Sequence, residues 1–68
     1  MAVSYNKLWK ILIDKQMKKG DLQALAKISS STMAKLGKNE FVAMPILVKL
    51  CNILNCDIGD IMEVVNAK

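Results

Sequence analysis

The stretch KGDLQALAKISSSTMAKLGK, Lys19 to Lys38, decides how this chain folds. Leu22 and Ala26 stand four apart, which predicts the inner face of a helix from Lys19 to Ala26. Asp21 falls in its first turn, where a carboxylate meets unpaired N–H groups favourably. Lys18 and Gly20 are poor caps for it. A second helix is predicted from Ser30 to Leu36, capped by Ser29, with Met33 and Leu36 facing inward. Gly37 fits the left-handed position that ends a helix. Only Lys27, Ile28 and Ser29 separate the two helices. A connection that short forces a steep crossing, the geometry of a helix-turn-helix. Leu22, Ala26, Ile28, Met33 and Leu36 have the spacing to hold the pair together. Ser30, Ser31 and Thr32 are then free at the start of the second helix, with Lys35 one turn along.

Outward from this unit the apolar spacing stays helical, and no segment alternates in the manner of a strand. Upstream, a helix is predicted from Ser4, its cap, to Lys15. Tyr5, Leu8, Trp9, Leu12 and Ile13 form its buried stripe, and Trp9 is read as core. Downstream, Lys38 to Ala43 reads as a loop, and a helix is predicted from Met44 to Leu54. Pro45 suits its first turn, where no N–H is needed. Ile46, Leu47, Leu50 and Leu54 make its inner face, with Cys51 and Ile53 beside them, and Asn55 can end it. A last short helix is predicted from Ile58 to Val64, capped by Asp57, with Asn66 to Lys68 frayed. The class is all-α: five helices in a single domain, residues 1–68.

The chain is 53% apolar, too much for a disordered tail. Its 68 residues bury a modest core, so dimerisation is expected to add to it. The net charge is +4, unevenly spread. Residues 1–38 carry eight lysines against two acids, and residues 39–68 two lysines against four acids. A basic half beside an acidic half points to a face that meets a polyanion; the plainer reading is a solvated lysine surface. All ten cations are lysine, which suits phosphate attraction better than bidentate pairing with guanine. The start MAVSYNKLWKILIDK spreads charge through its apolar residues, so no signal peptide is expected. The longest apolar run, Phe41 to Val48, is too short to span a bilayer and contains Pro45. Cys51 and Cys56, with no histidine, cannot complete a usual zinc site and read as core thiols in a reducing compartment. No nucleophile has a general base at a recognisable spacing. Asp57 and Asp60 read as a cap and an exposed charge, and no glycine loop could cradle phosphate. Neither an enzyme nor a cofactor is expected.

With these residues in view, the chain resembles the phage-repressor (Cro/XRE-type) helix-turn-helix family over nearly its whole length. SYNKLWKILIDK, KLGKNE and CDIGDIME resemble a subgroup of short bacterial regulators in that family. The resemblance implies a compact, five-helix, lambda-repressor-like fold with the helix-turn-helix formed by helices two and three. It implies major-groove binding to double-stranded DNA by helix three, usually as a symmetric dimer. Base-edge contacts would fall at Ser29, Ser30, Ser31 and Lys35. Phosphate contacts would fall at Lys18 and Lys19, at Thr32, and at Lys38 and Asn39. Taken alone, the run Ser29–Thr32 reads as a cap and a solvated first turn; in the family setting it reads as a DNA contact. Three departures stand out: Gln23 where alanine is usual, Lys27 where glycine is usual in the turn, and Ala43 where a capping serine is common. A positive φ at Lys27 would cost on the order of 1 kcal/mol.

The expectation is therefore a small cytoplasmic transcriptional regulator, a repressor, acting by occupying its operator. The competing reading is an antitoxin-like protein-interaction module on the same fold, motivated by Ile11, Leu25, Phe41 and the apolar segment Ile61 to Val65. A membrane-active amphipathic peptide is a third reading, disfavoured by five helical segments that share one core.

Overall fold

The first four helices end as they do because of four residues that are not glycine. In the computed structural model, which describes residues 2–65, β1 spans Ala2–Ser4, α1 Asn6–Asp14 and α2 Lys19–Ala26. They are followed by α3 Ser30–Gly37, α4 Met44–Leu54, α5 Ile58–Ile61 and β2 Glu63–Val65. Gln16, Lys27, Asn39 and Asn55 all have φ between 55° and 57°. Each follows a helix, and in each case the next residue's N–H donates to the carbonyl five positions back: Met17 to Leu12, Ile28 to Gln23, Glu40 to Lys35 and Cys56 to Cys51. The left-handed residue reverses the chain and satisfies carbonyls that the helix end would leave unpaired. Gly37 does not do this, contrary to expectation. It is the last helical residue of α3, and Asn39 makes the turn.

The bounds of α2 and α4 agree with the sequence reading. At α1 the cap differs: Tyr5 is the capping position, and Ser4 belongs to β1 while its Oγ accepts from the Asn6 N–H at 3.3 Å. The predicted stripe is buried at Tyr5, Leu8 and Leu12, and half-buried at Trp9. Ile13 lies 73% exposed. Helix α1 stops at Asp14 and the chain turns back at Gln16, so Met17 packs on the core from this end instead.

The largest departure is at the chain's end. Helix α5 stops at Ile61 instead of continuing to Val64, because Met62 is extended and Val64 and Val65 enter a strand. β2 pairs antiparallel with β1, with Ala2 opposite Val65, Val3 opposite Val64 and Ser4 opposite Glu63. The fold is therefore mostly helical with a small two-stranded sheet, not purely α. The β-branched valines suit this pairing. The expected fraying of Asn66 to Lys68 concerns residues outside those described.

The core is built from Val3, Tyr5, Leu8, Leu12, Leu22, Ala26, Leu36, Leu47, Leu50, Cys51, Leu54 and Ile61. Every helix and one strand contribute, so α2 and α3 are held by the same core that joins the chain's ends. Asp57 caps α5 as expected, accepting from the Ile58 N–H at 2.8 Å, while Asp60 accepts from the Asp57 N–H at 2.9 Å. This reciprocal capping accounts for both carboxylates. Among the described residues no helix is long and apolar enough to cross a membrane.

Candidate nucleic-acid interface

Lys18 starts α2 in an extended conformation, and Asp21 accepts from its N–H at 3.0 Å. Asp21 thereby compensates for the missing capping side chain. Leu22 and Ala26 bury one face of α2, which leaves Lys18 and Lys19 exposed at its start. The Lys19 ammonium lies 4.4 Å from the centre of the Trp9 ring, a cation–π contact that fixes where this charge sits.

The turn to α3 uses Lys27 with φ of 55°. Its own N–H and that of Ile28 both donate to the Gln23 carbonyl. From α4, Lys49 reaches the Ala26 carbonyl at 3.1 Å and brings positive charge to the end of α2, where the helix dipole favours it. The Gln23 amide donates to Ser30 Oγ at 3.4 Å. Gln23 thus bridges the two helices with a long polar side chain at a position where the family has a small one.

Ser29 caps α3 as expected, its Oγ accepting from the Thr32 N–H at 3.2 Å. The same hydroxyl lies 3.0 Å from both Ser31 Oγ and Thr32 Oγ1. The result is a small cluster of hydroxyls at the helix start. Ser29, Ser30, Ser31 and Lys35 are exposed, and Thr32 is half-buried. The cluster stands where the free N–H groups and dipole of α3 favour an anion.

Lys38 is exposed just beyond α3. Asn39 is also exposed, but its side chain has a structural role, with Oδ1 accepting from the Tyr5 N–H at 3.0 Å. Tyr5 in turn donates its hydroxyl to the Glu40 carbonyl at 2.8 Å. The loop after α3 is thereby clasped to the start of α1. Burial raises the Tyr5 pKa, opposed by a backbone hydrogen bond with Val42. Lys35, Asn39, Glu40, Phe41 and Ala2 line one open depression beside this clasp.

All nine sequence-predicted positions are thus confined to the start of α2, the outer face of α3 and the turn after it. Sequence reasoning missed Tyr5, Trp9, Gln23 and Lys49 as residues that position them. From the sequence, Gln23 stands out only as a departure from the family pattern. The contacts of Tyr5, Trp9 and Lys49 join residues 10 to 35 apart in sequence, which no local spacing reveals. Among the described residues no group of three or more His, Cys, Asp or Glu could hold a metal ion.

Residues 7–67 match the family model of the Cro/C1-type helix-turn-helix DNA-binding domain. The solved structures that match include a crystal structure of the transcriptional regulator VanUg, in its form II, with a TM-score of 0.95 and 56% identity. That match covers 97% of this chain and 88% of the other. No curated protein matches by sequence. With the family model spanning nearly the whole chain and the fold shared in detail, this protein belongs to the Cro/C1-type helix-turn-helix DNA-binding domain family.

Proposed function

We propose that α2 and α3, residues 19–38 of a single domain, form the helix-turn-helix and that α3 enters the major groove of duplex DNA. The observation that carries this is the exposed hydroxyl cluster at the start of α3, with lysines on both sides of it. Ser30, Ser31 and Lys35 read base edges; small hydroxyls allow close approach and can donate or accept. Ser29 caps the helix and lies at the edge of the same contact. Lys18, Lys19, Thr32, Lys38 and Asn39 meet phosphates and set the register. Asn39 does so with its amide NH₂, since its carbonyl oxygen holds Tyr5.

The protein acts as a small cytoplasmic transcriptional regulator, without enzymatic activity, repressing by occupying its operator as a homodimer. The test is a mobility-shift series at increasing salt. Affinity is expected to fall linearly on a log–log plot, and each phosphate-contacting lysine removed should reduce the slope by about 1. Ser31→Ala and Lys35→Ala should change sequence preference in a selection from random duplexes. Lys38→Ala should weaken all sequences alike. Binding that is absent at low salt, or that ignores salt, would sink the proposal. Analytical ultracentrifugation with and without DNA tests the dimer.

A second reading, a partner-binding module, is favoured by one observation. Leu25, Phe41, Met44 and Val48 are exposed, Phe41 to 72%. Val64, 59% exposed, adds to it, whereas Ile11 is half-buried and Ile61 is buried. DNA binding that survives Phe41→Ser and Met44→Ser unchanged would separate the two roles.

A further inference from the structure

Cys51 and Cys56 take no part in the DNA-binding reading. Cys51 lies buried on the inner side of α4, and Cys56 is half-buried just past its end. The left-handed turn at Asn55 folds the chain back so that the Cys56 N–H donates to the Cys51 carbonyl at 3.0 Å. This helix closure characteristically brings the two joined side chains into contact. Here both are thiols, joined through the backbone by that 3.0 Å hydrogen bond, and each perturbs the other's ionisation. Both are free. Cys56 also opens on a surface depression lined by Ile11, Asp14, Lys15, Leu54, Asn55 and Asp60, whereas Cys51 does not line it.

We propose that Cys51 and Cys56 form a dithiol that closes reversibly to an intramolecular disulfide, with Cys56 as the attacking thiol and Cys51 as the resolving one. The oxidant is a small-molecule disulfide, RSSR. The Cys56 thiolate attacks one sulfur of RSSR, forms a mixed disulfide and releases one thiolate, RS⁻. Cys51 loses its proton and attacks Cys56 Sγ, expelling the second RS⁻. Two protein thiols are oxidised to one disulfide, and RSSR is reduced to two RSH once the released thiolates take up the two protons. Exchange of this kind needs access for the first sulfur and proximity for the second, and the two cysteines divide these properties between them.

The groups around Cys56 set the pH dependence. Burial pushes both thiols up. For Cys56, the Cys51 thiol lowers its pKa, Asp60 and Asp57 raise it, and Lys15 lowers it. Asp14 stands at the rim of the same depression. The thiolate fraction is therefore small at neutral pH, and the rate should climb with pH. The proposal is independent of the DNA reading, since neither cysteine lies on α2 or α3.

The full chain is treated with oxidised glutathione at pH 7 and pH 9, then read by intact mass and peptide mapping without reductant. The expected product is a monomer two hydrogens lighter, with Cys51 linked to Cys56, formed faster at pH 9 and reversed by dithiothreitol. Closing this loop should also raise Tm by several degrees. Cys51→Ser should trap the glutathione adduct on Cys56, and Cys56→Ser should leave Cys51 unmodified over the same time. Where Cys51→Ser does not fold, Cys51→Ala replaces it, and the wild-type product alone remains decisive. A lasting adduct on wild-type Cys56, a disulfide-linked dimer, or no reaction at pH 9 would each overturn the proposal.

Discussion

Lys27 holds a backbone conformation that suits glycine, while Gly37 holds one that suits alanine. At Lys27 the φ of 55° leaves a Cβ where none is wanted, so Lys27→Gly should stabilise the fold by about 1 kcal/mol in urea unfolding. At Gly37 an added Cβ would meet nothing within 4 Å, and the backbone is helical. Gly37→Ala should therefore add roughly 0.5–1 kcal/mol, chiefly by restricting the unfolded chain. Asn39 differs from both because its side chain also holds Tyr5. Asn39→Gly would keep the turn but lose that acceptor, so its gain should be smaller than that of Lys27→Gly. Tyr5 gives a pH signature. Its pKa is raised in the folded protein, so its share of stability is complete below its ordinary value of 10.0. That share is lost as pH rises through the folded value, because the unfolded chain gives up the proton first. Alkaline unfolding curves for Tyr5→Phe should show a shallower decline than the wild type above that pH.

The elements differ in how plainly the sequence announced them. Helices α2 and α4 were legible to their bounds, because an inner stripe and an end signal coincided: Leu22 and Ala26 for α2, Pro45 and Asn55 for α4. Helix α3 was legible at its start, where Ser29 caps it, and less so at its end. Gly37 offers the usual stop signal, but the left-handed turn falls at Asn39, two residues on. Ser29→Ala should accordingly cost about 1 kcal/mol and fray the first turn of α3. Ser29→Asp should keep that stability, since aspartate also caps, yet weaken DNA binding more than Ser29→Ala does, because it brings a negative charge toward phosphate. The strands were not legible at all. Each is three residues long, too short for alternation to show, and each is defined by a partner at the other end of the chain. The candidate site was legible as a list of exposed positions. What places those positions, Gln23 against Ser30 and Lys49 against Ala26, depends on contacts that only the folded chain makes.

At the scale of the molecule, one core serves both the ends of the chain and the candidate DNA-binding unit. Leu22 is fully buried in that core, on a helix packed against α4. Leu22→Ala should cost about 2–5 kcal/mol, a large part of what a domain of this size possesses, and should lower Tm and DNA affinity together. Changes confined to the exposed lysines should lower affinity with Tm nearly unchanged. Loss of Val3 from β1 tests the joined ends in the same way, because it is buried beside α-helical core residues while its backbone pairs with Val64. The contact between Lys19 and Trp9 has a consequence for how all of this can be watched. Trp9 is the chain's one tryptophan, so its emission carries a single signal. A phosphate drawing the Lys19 ammonium off the indole ring would change that emission, and unfolding would change it in another way. The protein thus contains an intrinsic fluorophore at the border between its core and its charged face, able to report docking and unfolding in separate titrations without a label.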